Sequence, residues 1–198
     1  MSSRARTLAN FGDGIATADI GDGQITTAKI ADGDVTSAKL FSGFANGITM
    51  ADQYRLSANV SCSGTITSNI ERVDDASFGR IGTGITESSG TFSFPETGIY
   101  LVQVDTILDI AAGDGSAGVA TNITTDNSSY SPRAVANDGN QSGTAAVGAA
   151  SSTAFVDVTD VSNVKVQFET SSLSAGSNII GNTSQNLTSF TFIRLGDT

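Results

Sequence analysis

The chain has 198 residues, 38% of them hydrophobic, with a net charge of −10 at pH 7 and no histidine. That length holds one domain plus an extension. The acidity and only ten scattered Lys and Arg residues exclude a nucleic-acid footprint, and the lack of histidine excludes a Ser-His-Asp triad and the commonest metal ligand.

Twenty-two glycines, two prolines and an abundance of Val, Ile, Phe and Thr favour strands and turns over helices. Cys62 is the only cysteine, so no intrachain disulfide is expected. Its neighbours supply no positive charge, and it reads as a buried structural thiol. No apolar stretch follows Met1–Asn10, and no segment approaches the ~20 apolar residues of a membrane span. The expectation is a chain without a secretory leader and without membrane insertion.

Within an N-terminal segment of residues 1–40, residues 11–40 form a repeat. Ile15, Ile20, Ile25, Ile30, Val35 and Leu40 recur every five positions, and Ala18, Ala28 and Ala38 every ten. A period of five fits neither a helix nor a strand. Asp22-Gly23 and Asp32-Gly33 predict a turn every ten residues, separating short extended or single-turn pieces. Six large apolar side chains gain less by burial than the ordering of thirty backbones costs. The segment therefore packs on neighbouring copies or remains a flexible tail, and those six apolar residues are its expected self-association and attachment contacts. The blocks Ile20–Ile30 and Ile30–Leu40 also resemble repeats of phage tail fibres and other phage virion proteins. That resemblance implies that residues 1–40 attach to other virion proteins.

Residues 41–56 read as a junction, broken by Gly43 and Gly47, with one helical turn at Thr49–Tyr54. From residue 57 to 198 the pattern is of short strands. Candidates are 58–63, 65–72, 78–81, 90–95, 98–109, 117–124, 144–150, 153–158, 164–170 and 187–195. Val164–Glu169 alternates strictly, which places one face inside and one in water. Residues 125–147 read as exposed loops, with Tyr130, Pro132 and Arg133 as candidate receptor contacts. Asp74-Asp75 reads as a solvated turn rather than a catalytic pair. Asp109, Asp114 and Asp126 could offer oxygen to calcium, but their spacing matches no EF-hand loop. No cofactor, metal site or catalytic group is expected.

The stretch Gly90–Val104 carries the strongest signal. Phe92, then five residues, then Gly98-x-Tyr100, with a Pro95 corner between, resembles the C1q and tumour-necrosis-factor-like jelly-roll family. The closing run Ser189–Leu195 is similar to the family's last core strand. Upstream, Arg80 and Ile85 depart from the family pattern. The resemblance implies an all-β jelly-roll sandwich over residues 57–198, assembled as a homotrimer around a threefold axis and binding other molecules rather than catalysing. Together the two resemblances imply a phage structural protein. It would be a trimeric tail fibre or fibre-like component of the virion, displaying its head for host adsorption to a cell-surface glycan or protein. The alternatives are a capsid decoration protein that stabilises the shell and a cellular C1q-like binding module.

Overall fold

The computed structural model describes residues 20–31, 34–36, 39, 47–61, 64–174 and 176–198. The chain divides into two units, Met1–Ala45 and Asn46–Thr198.

Among the described residues of the first unit, from residue 20 to residue 39, the backbone turns every five residues, twice as often as the Asp-Gly pairs predict. Gln24 N donates to Gly21 O, Lys29 N to Thr26 O, Asp34 N to Ala31 O and Lys39 N to Thr36 O, at 2.9–3.1 Å. Gly23 supplies a positive φ of 73° in the first of these turns. The second contains a 3-10 turn at Thr27–Lys29, with no Asp-Gly at all. Ile20, Ile25, Ile30 and Val35 each precede a turn and are 39% to 55% exposed. Ile15 and Leu40 lie outside the described residues, as does Cys62.

The second unit is a sandwich of two antiparallel sheets. Its strands are β1 (Ala51–Leu56), β2 (Gly64–Thr65), β3 (Ile70–Arg72), β4 (Thr86–Ser88), β5 (Thr91–Ser93), β6 (Gly98–Ile110), β7 (Ser116–Thr124), β8 (Ser131–Gly139), β9 (Ala146–Val158), β10 (Lys165–Ser171), β11 (Asn178–Ile179) and β12 (Ser189–Gly196). One sheet runs β9-β6-β12-β1-β3, with β11 also pairing β6. The other runs β8-β7-β10-β5-β4, with β2 also pairing β10. Strands consecutive in sequence repeatedly cross between the sheets, which is the jelly-roll arrangement.

Alternation builds the core. Along β6, Tyr100, Val102, Val104, Leu108 and Ile110 point inward and are buried. Val166 and Phe168 do the same on β10. Between the sheets, Phe92 meets Tyr54, Phe168 and Phe192 with ring centroids 5.1–5.3 Å apart. Phe168 stacks on Phe190 at 4.1 Å. Edge-to-face and offset contacts at these distances suit the ring quadrupoles.

The structure corrects several sequence expectations. Thr49–Tyr54 is not a helical turn; Ala51–Leu56 is a strand in the middle of a sheet. Charge at two of its positions hid it. Asp52 is buried, accepting from Ile85 N at 2.8 Å and pairing with Arg72 at 3.1 Å. Arg55 is 1% exposed and is held by Glu71, Asp74, Asp75 and the Thr183 carbonyl. The Asp74-Asp75 pair thus supplies two of the three carboxylates around a buried guanidinium, a setting in which carboxylate partners are needed to offset lost hydration. Residues 125–147 are not all loop, because β8 runs from Ser131 to Gly139. The strands expected at 144–150 and 153–158 are one continuous β9. Among the described residues 58–61, the strand expected at 58–63 reduces to a bridge between Val60 and Ile179; that expected at 78–81 reduces to a bridge between Ile81 and Ala51.

The Phe92/Gly98/Tyr100 pattern acquires a steric meaning here. Gly98 has φ of 143°, and a Cβ there would lie 2.5 Å from Gly196 O and 2.7 Å from Arg194 Nε. The Tyr100 ring is buried while its hydroxyl donates to Glu96 O at 2.9 Å, fastening the Pro95–Gly98 corner. Burial pushes that phenol's pKa up. Gly98→Ala is expected to destabilise the sandwich by about 1–3 kcal/mol from backbone strain alone, read as a lower urea midpoint. Gly115→Ala, where a Cβ meets nothing within 4 Å, is the control and leaves the midpoint in place.

Candidate self-association surface

Because Tyr100, Val102 and Val104 face the core, Leu101, Gln103 and Asp105 face outward. Antiparallel register carries each of these across the sheet in a level row. The first row is Ile81, Ala51, Ile193, Leu101 and Phe155, on neighbouring chain segments from one edge of the sheet to the other. All five are apolar. Phe155 is 69% exposed and Ile81 48%. The second row is Gln53, Thr191, Gln103 and Thr153, all polar and uncharged. The third is Glu71, Arg55, Ser189, Asp105 and Ser151.

The polar rows are largely satisfied within the chain. Asn186 Nδ2 donates to Gln53 Oε1 at 2.7 Å, and Gln53 Nε2 donates to Thr191 Oγ1 at 2.7 Å. Gln103 Nε2 donates to both Asp105 carboxylate oxygens at 2.8 and 3.0 Å. Beside them Asp105, Ile107, Ala149, Ser151, Asn186 and Leu187 line an open hollow of about 360 Å³. An apolar row spanning a sheet, beside polar groups most of which are paired within the chain, can dock on protein while stranding few donors or acceptors, Asn186 Oδ1 being one that has no partner among the described residues. It offers no nucleophile, base or paired acid.

Sequence reasoning missed this row. Its one visible signal is Phe155, a large apolar residue out of phase with the buried Val156 and Val158 on the same strand. Ile81, Ala51, Ile193 and Leu101 are brought level with it only by strand pairing.

The other predicted residues are placed apart. Tyr130 precedes β8 and is half-buried; burial raises its pKa. Arg133 is exposed on β8 itself. Asp126 is committed to its own turn. It accepts from Thr124 Oγ1 at 2.7 Å and from Ser128 N and Ser129 N at 2.9 and 2.7 Å, which holds its carboxyl well below the usual range. Asp114 accepts from the Ser174 and Ser177 hydroxyls, which lower its pKa. Asp109 faces outward on β6, level with Val147. Among the described residues no group of three or more acidic or thiol side chains is placed to hold a metal ion.

No family model matches the chain, and no curated protein sequence matches it. Solved structures do. The chain is similar to the tumour necrosis factor Eiger from S. frugiperda, with a TM-score of 0.59 over 77% of this chain and 96% of that one, at 12% identity. It is similar to murine APRIL at pH 5.0, with a TM-score of 0.56 over 74% of this chain and 98% of that one, again at 12% identity. At this identity the likeness is one of fold. The second unit has a tumour-necrosis-factor-like jelly roll, as the Phe92/Gly98/Tyr100 pattern implied.

Proposed function

We propose that the chain is a bacteriophage virion component, a homotrimeric fibre or fibre-like protein that displays its jelly-roll heads for adsorption to a host. The apolar row from Ile81 to Phe155 carries the self-association part of this reading. It lies open on the face of one sheet in an acidic, polar protein. Copies packed around a closed cyclic axis bury that row against one another. The repeat supports the same assembly, since its described apolar residues Ile20, Ile25, Ile30 and Val35 are exposed. Its likeness to phage fibre repeats supports the virion setting. The N-terminal unit then attaches to other virion proteins. Arg133 and the neighbouring Tyr130 are available to touch a cell-surface glycan or protein. Three heads per fibre multiply weak contacts into avidity when the geometry lets them engage together.

Light scattering on the purified chain should give the mass of three chains. Microscopy of particles with an antibody to the head should then place the protein on the tail; decoration of the shell instead would make it a capsid fibre. A monomer in solution, or particles lacking the protein, would overturn the reading. The repeat contributes to the trimer without sufficing for it. Ile20→Asp with Ile30→Asp is therefore expected to keep the three-chain mass in concentrated solution. On dilution the variant should dissociate at a concentration roughly tenfold higher than the parent, the avidity of a second linked contact being lost.

A further inference from the structure

The five-residue turn spacing assigns a role to the residue that ends each turn. These turn-closing positions are Gln24, Lys29, Asp34 and Lys39, each donating its backbone N–H to the residue three before it. All four are exposed. From Lys29 onward their charge alternates: positive, negative, positive. Among the described residues, neither charged group is exhausted by contacts within its own chain. Lys29 Nζ donates to Gln24 O, which leaves two ammonium protons. Asp34 Oδ2 accepts from Ala31 N at 3.0 Å, which leaves Oδ1. In a cyclic trimer equivalent residues sit at equal height, so level contacts between copies pair like with like. Contacts one turn up or down pair unlike charges. We propose that Lys29 of one copy pairs with Asp34 of the next, and Asp34 with Lys39, so that the turn-closing charges select the register in which the repeats wind together. The proposal rests on the trimer reading above and names the partner of each repeat as a second copy of the same repeat. Coiled coils fix partner choice by flanking charges in the same way.

The test separates contacts between copies from those within one. Two full-length variants are made. Asp34→Lys makes positions 29, 34 and 39 all positive. Lys29→Asp with Lys39→Asp makes them all negative. Inside either variant only like charges face each other; between the two, every contact is favourable. The variants are co-expressed, and the trimers are counted by native mass spectrometry, since the substitutions alone distinguish their masses. The expected result is that unmixed trimers fall about fivefold below their random share, a modest bias for exposed ion pairs acting together. The bias should vanish near 1 M salt, where screening acts within ~3 Å. Trimers that mix at random would overturn the proposal and leave the trimer intact. A parent chain that is itself monomeric would overturn both.

Discussion

Leu101→Asp together with Phe155→Asp is expected to convert the proposed three-chain assembly into folded monomers. Both residues sit in the apolar row, level with each other on β6 and β9. Neither contributes to the core, because their strand neighbours Tyr100, Val102 and Val156 fill it instead. Two apolar side chains per copy lose burial worth roughly 1.5–3 kcal/mol each. Two carboxylates per copy must also be desolvated, and without a partner that cost is larger still. Every interface of a cyclic trimer carries the loss, so the effect triples across the assembly. Light scattering checks the mass, and a urea midpoint measured under dissociating dilution checks that the sandwich is intact. Val135→Asp is the control. It adds the same charge at an exposed apolar position on β8 of the opposite sheet, and it should leave three chains together. A three-chain mass for the double variant would move the contact surface off this sheet.

The sequence made the fold legible where chemistry and geometry coincide. Strict alternation along Val164–Glu169 and along Tyr100–Asp105 marked β10 and β6, because their inward residues are the core. Elsewhere the code was masked. β8 carries a single buried apolar residue, Ala136, at the edge of its sheet, so its sequence resembles a loop. β1 puts Asp52 and Arg55 out of water on opposite faces, with partners that come from β3, from the turn after it, and from distant loops. A buried charge becomes intelligible only once its counter-charges are placed, and those lie 16 to 20 positions away in the chain, with the Thr183 carbonyl that also holds Arg55 128 positions away. The candidate surface was hidden for the same reason. Its residues come from four strands and one bridge, and no window of sequence contains two neighbours of the row. In the repeat the period was plain, but turns at Thr26–Lys29 and Thr36–Lys39 need no Asp-Gly to form.

Phe92→Ala should cost about 3–5 kcal/mol, the usual toll for truncating a buried aromatic. That is a large share of the ~5–15 kcal/mol that holds a typical domain folded. Phe92 is fully buried and touches rings from three strands: Tyr54 on β1, Phe168 on β10, and Phe190 and Phe192 on β12. β1 and β12 belong to one sheet and β10 to the other, so this ring is where the two layers meet. Phe94, two residues on, packs on Tyr100 at 4.6 Å and carries the contact into the start of β6. The chain leaves Phe94, turns at Pro95, and re-enters the opposite sheet at Gly98, where only a missing side chain clears Gly196 O. The Phe92, Gly98, Tyr100 spacing is therefore a crossing between layers with both ends anchored in one aromatic cluster. Phe92→Leu keeps most of the volume and should cost much less than the alanine variant. Urea unfolding at one fixed protein concentration makes the comparison, since assembly adds its own free energy to the apparent stability. Equal midpoints for the alanine variant and the parent would mean that the layers close around some other residue.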